Sequence, residues 1–137
     1  MFCRFLIPLK PLSVNKIYRV FRGRSIKSKE AREFEVEFNS YLAEFATQAI
    51  LFMEGFDKEN DAIHVDYVFY LKEDEFFTKA GRMHMRCLDV DNAIKISQDQ
   101  LFAFIDLDDG FVSRISATKV PSASNCIEIT LRRVRQP

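Results

Sequence analysis

Alternating apolar and polar positions predict most of the strands in this chain. The most regular alternation runs over residues 62–71, where one side carries Ile63, Val65, Tyr67, Phe69 and Leu71. A period of two is typical of a strand with one buried face. Weaker alternation predicts three further strands, over residues 2–9, 111–120 and 126–134.

A long helix is predicted to begin after Ser28, because a serine oxygen accepts the free N–H groups of a helix start. Over about 24 residues, apolar side chains then recur at spacings of three and four. These residues are Phe34, Phe38, Tyr41, Phe45, Ala49 and Phe52. Such a stripe favours packing in a core, or in a dimer interface, over a platform for stacking nucleobases.

Two segments between these elements have weaker signals. Residues 17–27 predict a short basic hairpin or an extended arm, with a turn at Gly23. Residues 73–85 are predicted to form a long polar loop or hairpin. This segment is expected to contact substrate. His64 falls on the less apolar side of its strand, so we interpret it as a surface or structural residue.

Together, these elements predict one compact α+β domain over residues 1–137, a mixed sheet with one long and one short helix packed on it. Apolar residues make up 47% of the chain and include 14 phenylalanines, enough for a packed core. Cys3, Cys87 and Cys126 lack metal-ligand spacing and indicate a reducing compartment. The N-terminus does not have the pattern of a signal peptide, and no apolar run reaches membrane-spanning length. We therefore expect a cytoplasmic protein without membrane contact.

The net charge is zero, but the charges are segregated along the chain. Residues 1–32 carry one acid and nine bases: Arg4, Lys10, Lys16, Arg19, Arg22, Arg24, Lys27, Lys29 and Arg32. Such segregation predicts a basic face for phosphate groups on a neutral molecule, although a merely solvated surface would have the same pattern. The candidate phosphate contacts are Lys16, Arg22, Arg24, Arg82 and Arg86.

Acidic residues are concentrated around the short second helix, which is predicted to run from Asn92 to about Ala103. In an extended segment, Asp89 and Asp91 point to the same side, and Asp91 is expected to cap the helix. Lys95 follows one turn later on the same face. The chain is then expected to turn and return an acid towards the first pair, from among Asp106, Asp108 and Asp109.

Carboxylates that converge without a counter-ion repel one another and raise each other's pKa values, so a divalent cation is their simplest partner. Oxygen ligands favour Mg²⁺, with Mn²⁺ as the alternative, over zinc. An EF-hand is excluded, because a loop that starts at Asp89 or at Asp106 does not have glycine at its sixth position. The chain also lacks a phosphate-binding P-loop and a plausible Ser-His-Asp set. The remaining alternative is that these acids only cap a helix and occupy a loop.

These residues resemble a known family, the RusA-type Holliday junction resolvases, which are small endodeoxyribonucleases. The resemblance rests on Asp89-Val90-Asp91-Asn92, Lys95 and Asp108-Asp109, and nearer the N-terminus on Pro11, Ser13, Asn15, Tyr18 and Arg22-Gly23-Arg24. It covers most of the chain. Compared with the family, residues 73–85 look extended, and the interval from Asp91 to the acid pair looks slightly short.

The resemblance implies a homodimer that hydrolyses phosphodiester bonds of Holliday junctions with Mg²⁺, in DNA recombination and repair. It implies catalytic roles for Asp89, Asp91, Lys95 and Asp109, with the three acids as metal ligands and Asp108 as the alternative to Asp109. Two other functions stay open. One is a metal-dependent nuclease for flaps or forks, and the other is a non-catalytic DNA-binding protein on the same scaffold.

Overall fold

The computed structural model of the protein describes residues 1–12 and 18–137. Along the chain, its elements are β1 (Phe2–Ile7), β2 (Tyr18–Phe21), β3 (Arg24–Lys27), α1 (Lys29–Leu42), α2 (Ala46–Met53), β4 (Asp61–Lys72), α3 (Glu73–Phe76), α4 (Val90–Ile105), β5 (Val112–Ser122) and β6 (Cys126–Arg135). The predicted α+β class, with a mixed sheet and one long helical segment, is confirmed.

A four-stranded sheet with strand order β1-β6-β4-β5 forms the centre of the domain. β6 pairs antiparallel with both β1 and β4, whereas β4 and β5 run parallel. The predicted alternation in β4 is confirmed, because Ile63, Val65, Tyr67, Phe69 and Leu71 are all buried. They pack with Phe5, Ile127, Ile129 and Leu131 from the neighbouring strands on one face of the sheet.

The long helical segment covers that face. Its start is capped as predicted, by the Ser28 hydroxyl, which accepts the backbone N–H of Ala31 at 3.1 Å. A short 3-10 turn at Ala43–Phe45 separates α1 from α2. Phe34, Phe38 and Phe52 from the predicted apolar stripe are buried in the core, so the stripe is a packing surface rather than a platform for bases.

The parallel pairing of β4 with β5 determines the direction of α4. Such a pair needs a crossover that returns the chain to its starting edge, and residues 73–111 form it. Ile63 near the start of β4 pairs with Val112, and Lys72 at its end pairs with Ser122. Helix α4 therefore runs back along the sheet, opposite in direction to both strands, and its start lies near their ends.

A separate two-stranded sheet, β2 with β3, forms the predicted basic hairpin. Arg22 and Gly23 form its turn with positive φ angles of 51° and 73°, the backbone conformation of tight hairpin turns. No helix in residues 1–12 and 18–137 is long and apolar enough to cross a membrane.

Candidate active site

Two carboxylates lie at the start of α4. Asp89 has extended backbone angles, and its Oδ1 accepts the backbone N–H of Asn92 at 3.3 Å. Asp91 is in the first helical turn. The prediction that Asp91 caps a helix starting at Asn92 is therefore wrong: Asp89 is the N-cap and the helix begins at Val90. Both acids are exposed at the N-terminal end of the helix.

Lys95 follows Asp91 by one turn, as expected from its spacing. Its Nζ lies 3.5 Å from Oδ2 of Asp99, one further turn along the helix. Both side chains are about half exposed, so this ion pair orients Lys95 more than it stabilises the fold. The sequence interpretation did not single out Asp99, although its separation of four residues from Lys95 was a usable signal.

The start of α4 is tied to the sheet by Lys119 of β5. Its Nζ donates to the backbone oxygens of Met85, at 3.4 Å, and Leu88, at 3.3 Å. Leu88 itself is buried in the core. These contacts hold the residues that precede Asp89 and so position its carboxylate.

The second group of acids lies at the other end of α4. Asp106 ends the helix with a left-handed backbone, at φ 55°. Asp108 caps the following 3-10 turn by accepting the Gly110 N–H at 2.6 Å. A surface hollow of about 520 Å³ is lined there by Lys58, Asp99, Asp106, Asp108 and Asp109, among others.

A buried tyrosine of β4 lies close to this second group. The hydroxyl of Tyr67 donates to Oε1 of Gln98 at 2.8 Å. Burial, and then the charges of Asp99 and Asp109, raise the pKa of Tyr67 far above its ordinary value. Tyr67 therefore remains a neutral hydrogen-bond donor beneath the acids.

The two acid groups are far apart within one chain. Helix α4 has 16 residues, and at about 1.5 Å per residue it separates them by about 24 Å. The strand register agrees, because Val112 follows the second group while Lys119 contacts Leu88. The expected return of an acid towards Asp89 and Asp91 is therefore wrong within one chain. Accordingly, no three His, Cys, Asp or Glu side chains of the described residues come together to hold a metal.

The basic candidates lie on two exposed segments. Arg22 is at the hairpin turn, with its guanidinium over the Phe21 ring at 5.2 Å, and Arg24 follows it. Lys27 forms an ion pair with Glu35, which ties the hairpin to α1. Arg82 and Arg86 lie on the segment that leads into Asp89. Lys16 lies outside the described residues.

A protein-family model described as "Endodeoxyribonuclease RusA" matches residues 8–132 of the chain. The matched range includes both acid groups, Lys95 and all the basic candidates. A comparison with curated proteins gave no match.

Proposed function

The chain belongs to the RusA endodeoxyribonuclease family, and from this membership we propose that it is a Mg²⁺-dependent nuclease that resolves Holliday junctions by paired phosphodiester hydrolysis. The family match over residues 8–132 is the observation that carries this proposal. The reaction would serve DNA recombination and repair. We further propose a cytoplasmic location, which is consistent with three free cysteines.

The donor groups at the start of α4 suit a hard cation. The Asp89 cap uses only one carboxylate oxygen, and Asp91 is exposed beside it. We propose Asp89, Asp91 and Asp109 as ligands for Mg²⁺, with Mn²⁺ as the alternative, because all their donor atoms are oxygens. When bound, the metal would supply a more acidic water and neutralise charge on the phosphate.

One chain cannot bring these three acids together, so the proposal requires a homodimer. If two copies pair with their α4 helices side by side and antiparallel, Asp109 of each copy approaches Asp89 and Asp91 of the other. A two-fold axis then generates two equal sites. Two equal sites match a four-way junction, which is resolved by one cut in each of two strands.

The other side chains have roles that follow from their charge. Lys95 would stabilise the negative charge that develops on the phosphate during hydrolysis, and Asp99 would hold its ammonium group in position until substrate binds. Arg22, Arg24, Arg82, Arg86 and Lys16 would bind phosphates of the DNA arms. Such contacts select the shape of the branch rather than a base sequence.

Cleavage of a panel of labelled DNAs tests this proposal. We expect purified protein to cut a four-way junction in Mg²⁺, to leave it intact in EDTA, and to leave linear duplex intact in both. Preferential cutting of flaps or forks would mean that the substrate is another branched DNA rather than the four-way junction. Binding without cutting under every metal condition would refute the enzymatic function.

A further inference from the structure

Residues 77–88, here called the site loop, connect α3 to α4 and have a defined backbone. The N–H of Thr78 donates to the carbonyl oxygen of Arg82, and the N–H of His84 donates to that of Phe76, both at 2.7 Å. Phe77 and Met83 form an antiparallel bridge across this small hairpin. Because backbone hydrogen bonds hold the site loop, its side chains are presented in definite positions.

Three large apolar side chains of the site loop are exposed to solvent. Phe77 and Met83 are each 37% exposed, and Met85 is 73% exposed. The core contact of this region is made instead by Phe76, which is buried and meets the Phe77 ring edge to face at 4.9 Å. Phe77, Met83 and Met85, here called the apolar ridge, are therefore available to a ligand.

The charged residues of the site loop itself are all basic. Lys79, Arg82, His84 and Arg86 are all exposed, and the site loop contains no acidic residue. Within the described part of the chain, no acidic side chain forms an ion pair with Lys79, Arg82 or Arg86. An apolar strip bordered by unpaired positive charge fits a polyanion with flat apolar faces, which is the chemistry of nucleic acid with accessible bases.

The site loop also lies next to the proposed catalytic acids. Lys119 contacts the backbone oxygens of both Met85 and Leu88, and Asp89 follows immediately. A ligand on the apolar ridge therefore lies close to the start of α4.

We propose that the apolar ridge enters between bases at a DNA branch point and displaces them from the remaining stack, while the basic residues of the site loop bind the adjacent phosphates. This inference rests on the proposed function, and it names the part of the branched substrate that the site recognises. Base stacking is interrupted where duplex arms meet, so base faces are accessible there. Aromatic side chains stack on such faces, and apolar side chains enter between partly opened base steps.

The test uses a four-way junction with 2-aminopurine at the branch, whose fluorescence rises when its base leaves the stack. Wild-type protein is added in EDTA, so that cutting does not interfere, and is compared with Met85→Ala and with Phe77→Ala/Met85→Ala. The matched control is Val36→Ala, an exposed apolar residue on α1. We expect the rise with wild type and control, a smaller rise with Met85→Ala, and loss of the rise together with about fivefold weaker binding for the double variant.

The outcomes separate this inference from the proposed function. A junction that is bound and cut, with an equal fluorescence rise for wild type and both variants, overturns the base contact and leaves the nuclease. If the protein does not cut junctions, the test is repeated with 2-aminopurine in a single strand next to a duplex. A larger fluorescence rise with wild type than with the variants then supports the base contact, and an equal rise overturns it. Loss of dimerisation in the variants, measured by sedimentation, would reassign the apolar ridge to a second copy of the chain and overturn the inference.

Discussion

Asp89 and Asp109 lie at opposite ends of α4, separated by about 24 Å of helix. The separation follows from the parallel pairing of β4 with β5, which directs α4 back along the sheet. If both residues bind the same metal ion, they must come from different chains.

Mixing two inactive variants tests this two-chain site. Asp89→Asn and Asp109→Asn should each abolish cleavage, and asparagine retains the helix cap at position 89. In a mixed dimer, one site carries both substitutions and the other carries neither. We expect refolded mixtures to regain nicking in one strand per junction. Mixtures that stay inactive, although mass spectrometry detects the mixed dimer, would contradict the two-chain site.

Asp91→Asn should abolish junction cleavage while junction binding is retained or becomes tighter. In the proposed site, the substitution removes one metal ligand and also removes a negative charge that would face the phosphates. Gel-shift titration and a cleavage assay on the same preparation measure the two effects. Asp106→Asn is the matched control and should cut normally, because asparagine tolerates the left-handed backbone at this position. Loss of binding together with cleavage would count against a metal-ligand role for Asp91.

Arg22→Ala should weaken junction binding and reduce its dependence on salt. Each phosphate contact releases counterions, so the slope of log Kd against log salt should fall by about 1. Arg114→Ala, an exposed arginine on β5, serves as the control. An unchanged slope for Arg22→Ala would remove the basic hairpin from the DNA interface.

Lys119→Ala should loosen the segment that positions Asp89. Two hydrogen bonds to the oxygens of Met85 and Leu88 are lost, and amide exchange at residues 85–89 should accelerate by about fivefold, equivalent to ~1 kcal/mol of local stability. The control variant Lys29→Ala, on α1, should leave amide exchange at residues 85–89 unchanged. If exchange in Lys119→Ala matches the wild-type rate, the lysine does not hold this segment.

The periodic elements were predictable from the sequence, because alternation in β4 and the helical stripe after Ser28 both reflect one buried face. The N-cap of α4 was not predictable from the sequence. Asp89, Asp91 and Asn92 are all good capping residues, and local chemistry does not choose between them. The burial of Leu88 and the contacts of Lys119, which are tertiary, select Asp89. The distance from Asp89 to Asp109 depends on the strand pairing beneath α4, which residue spacing along the chain does not encode.

Cleavage of a supercoiled plasmid that extrudes a cruciform tests junction resolution most directly. Two coordinated cuts within one bound complex convert the circle to a linear molecule, whereas independent cuts first accumulate nicked circles. We predict that the protein with Mg²⁺ yields linear plasmid cut at the cruciform, and that EDTA or removal of the inverted repeat abolishes the product. Equal cutting with and without the inverted repeat, or no cutting at any Mg²⁺ concentration, would contradict the proposed function.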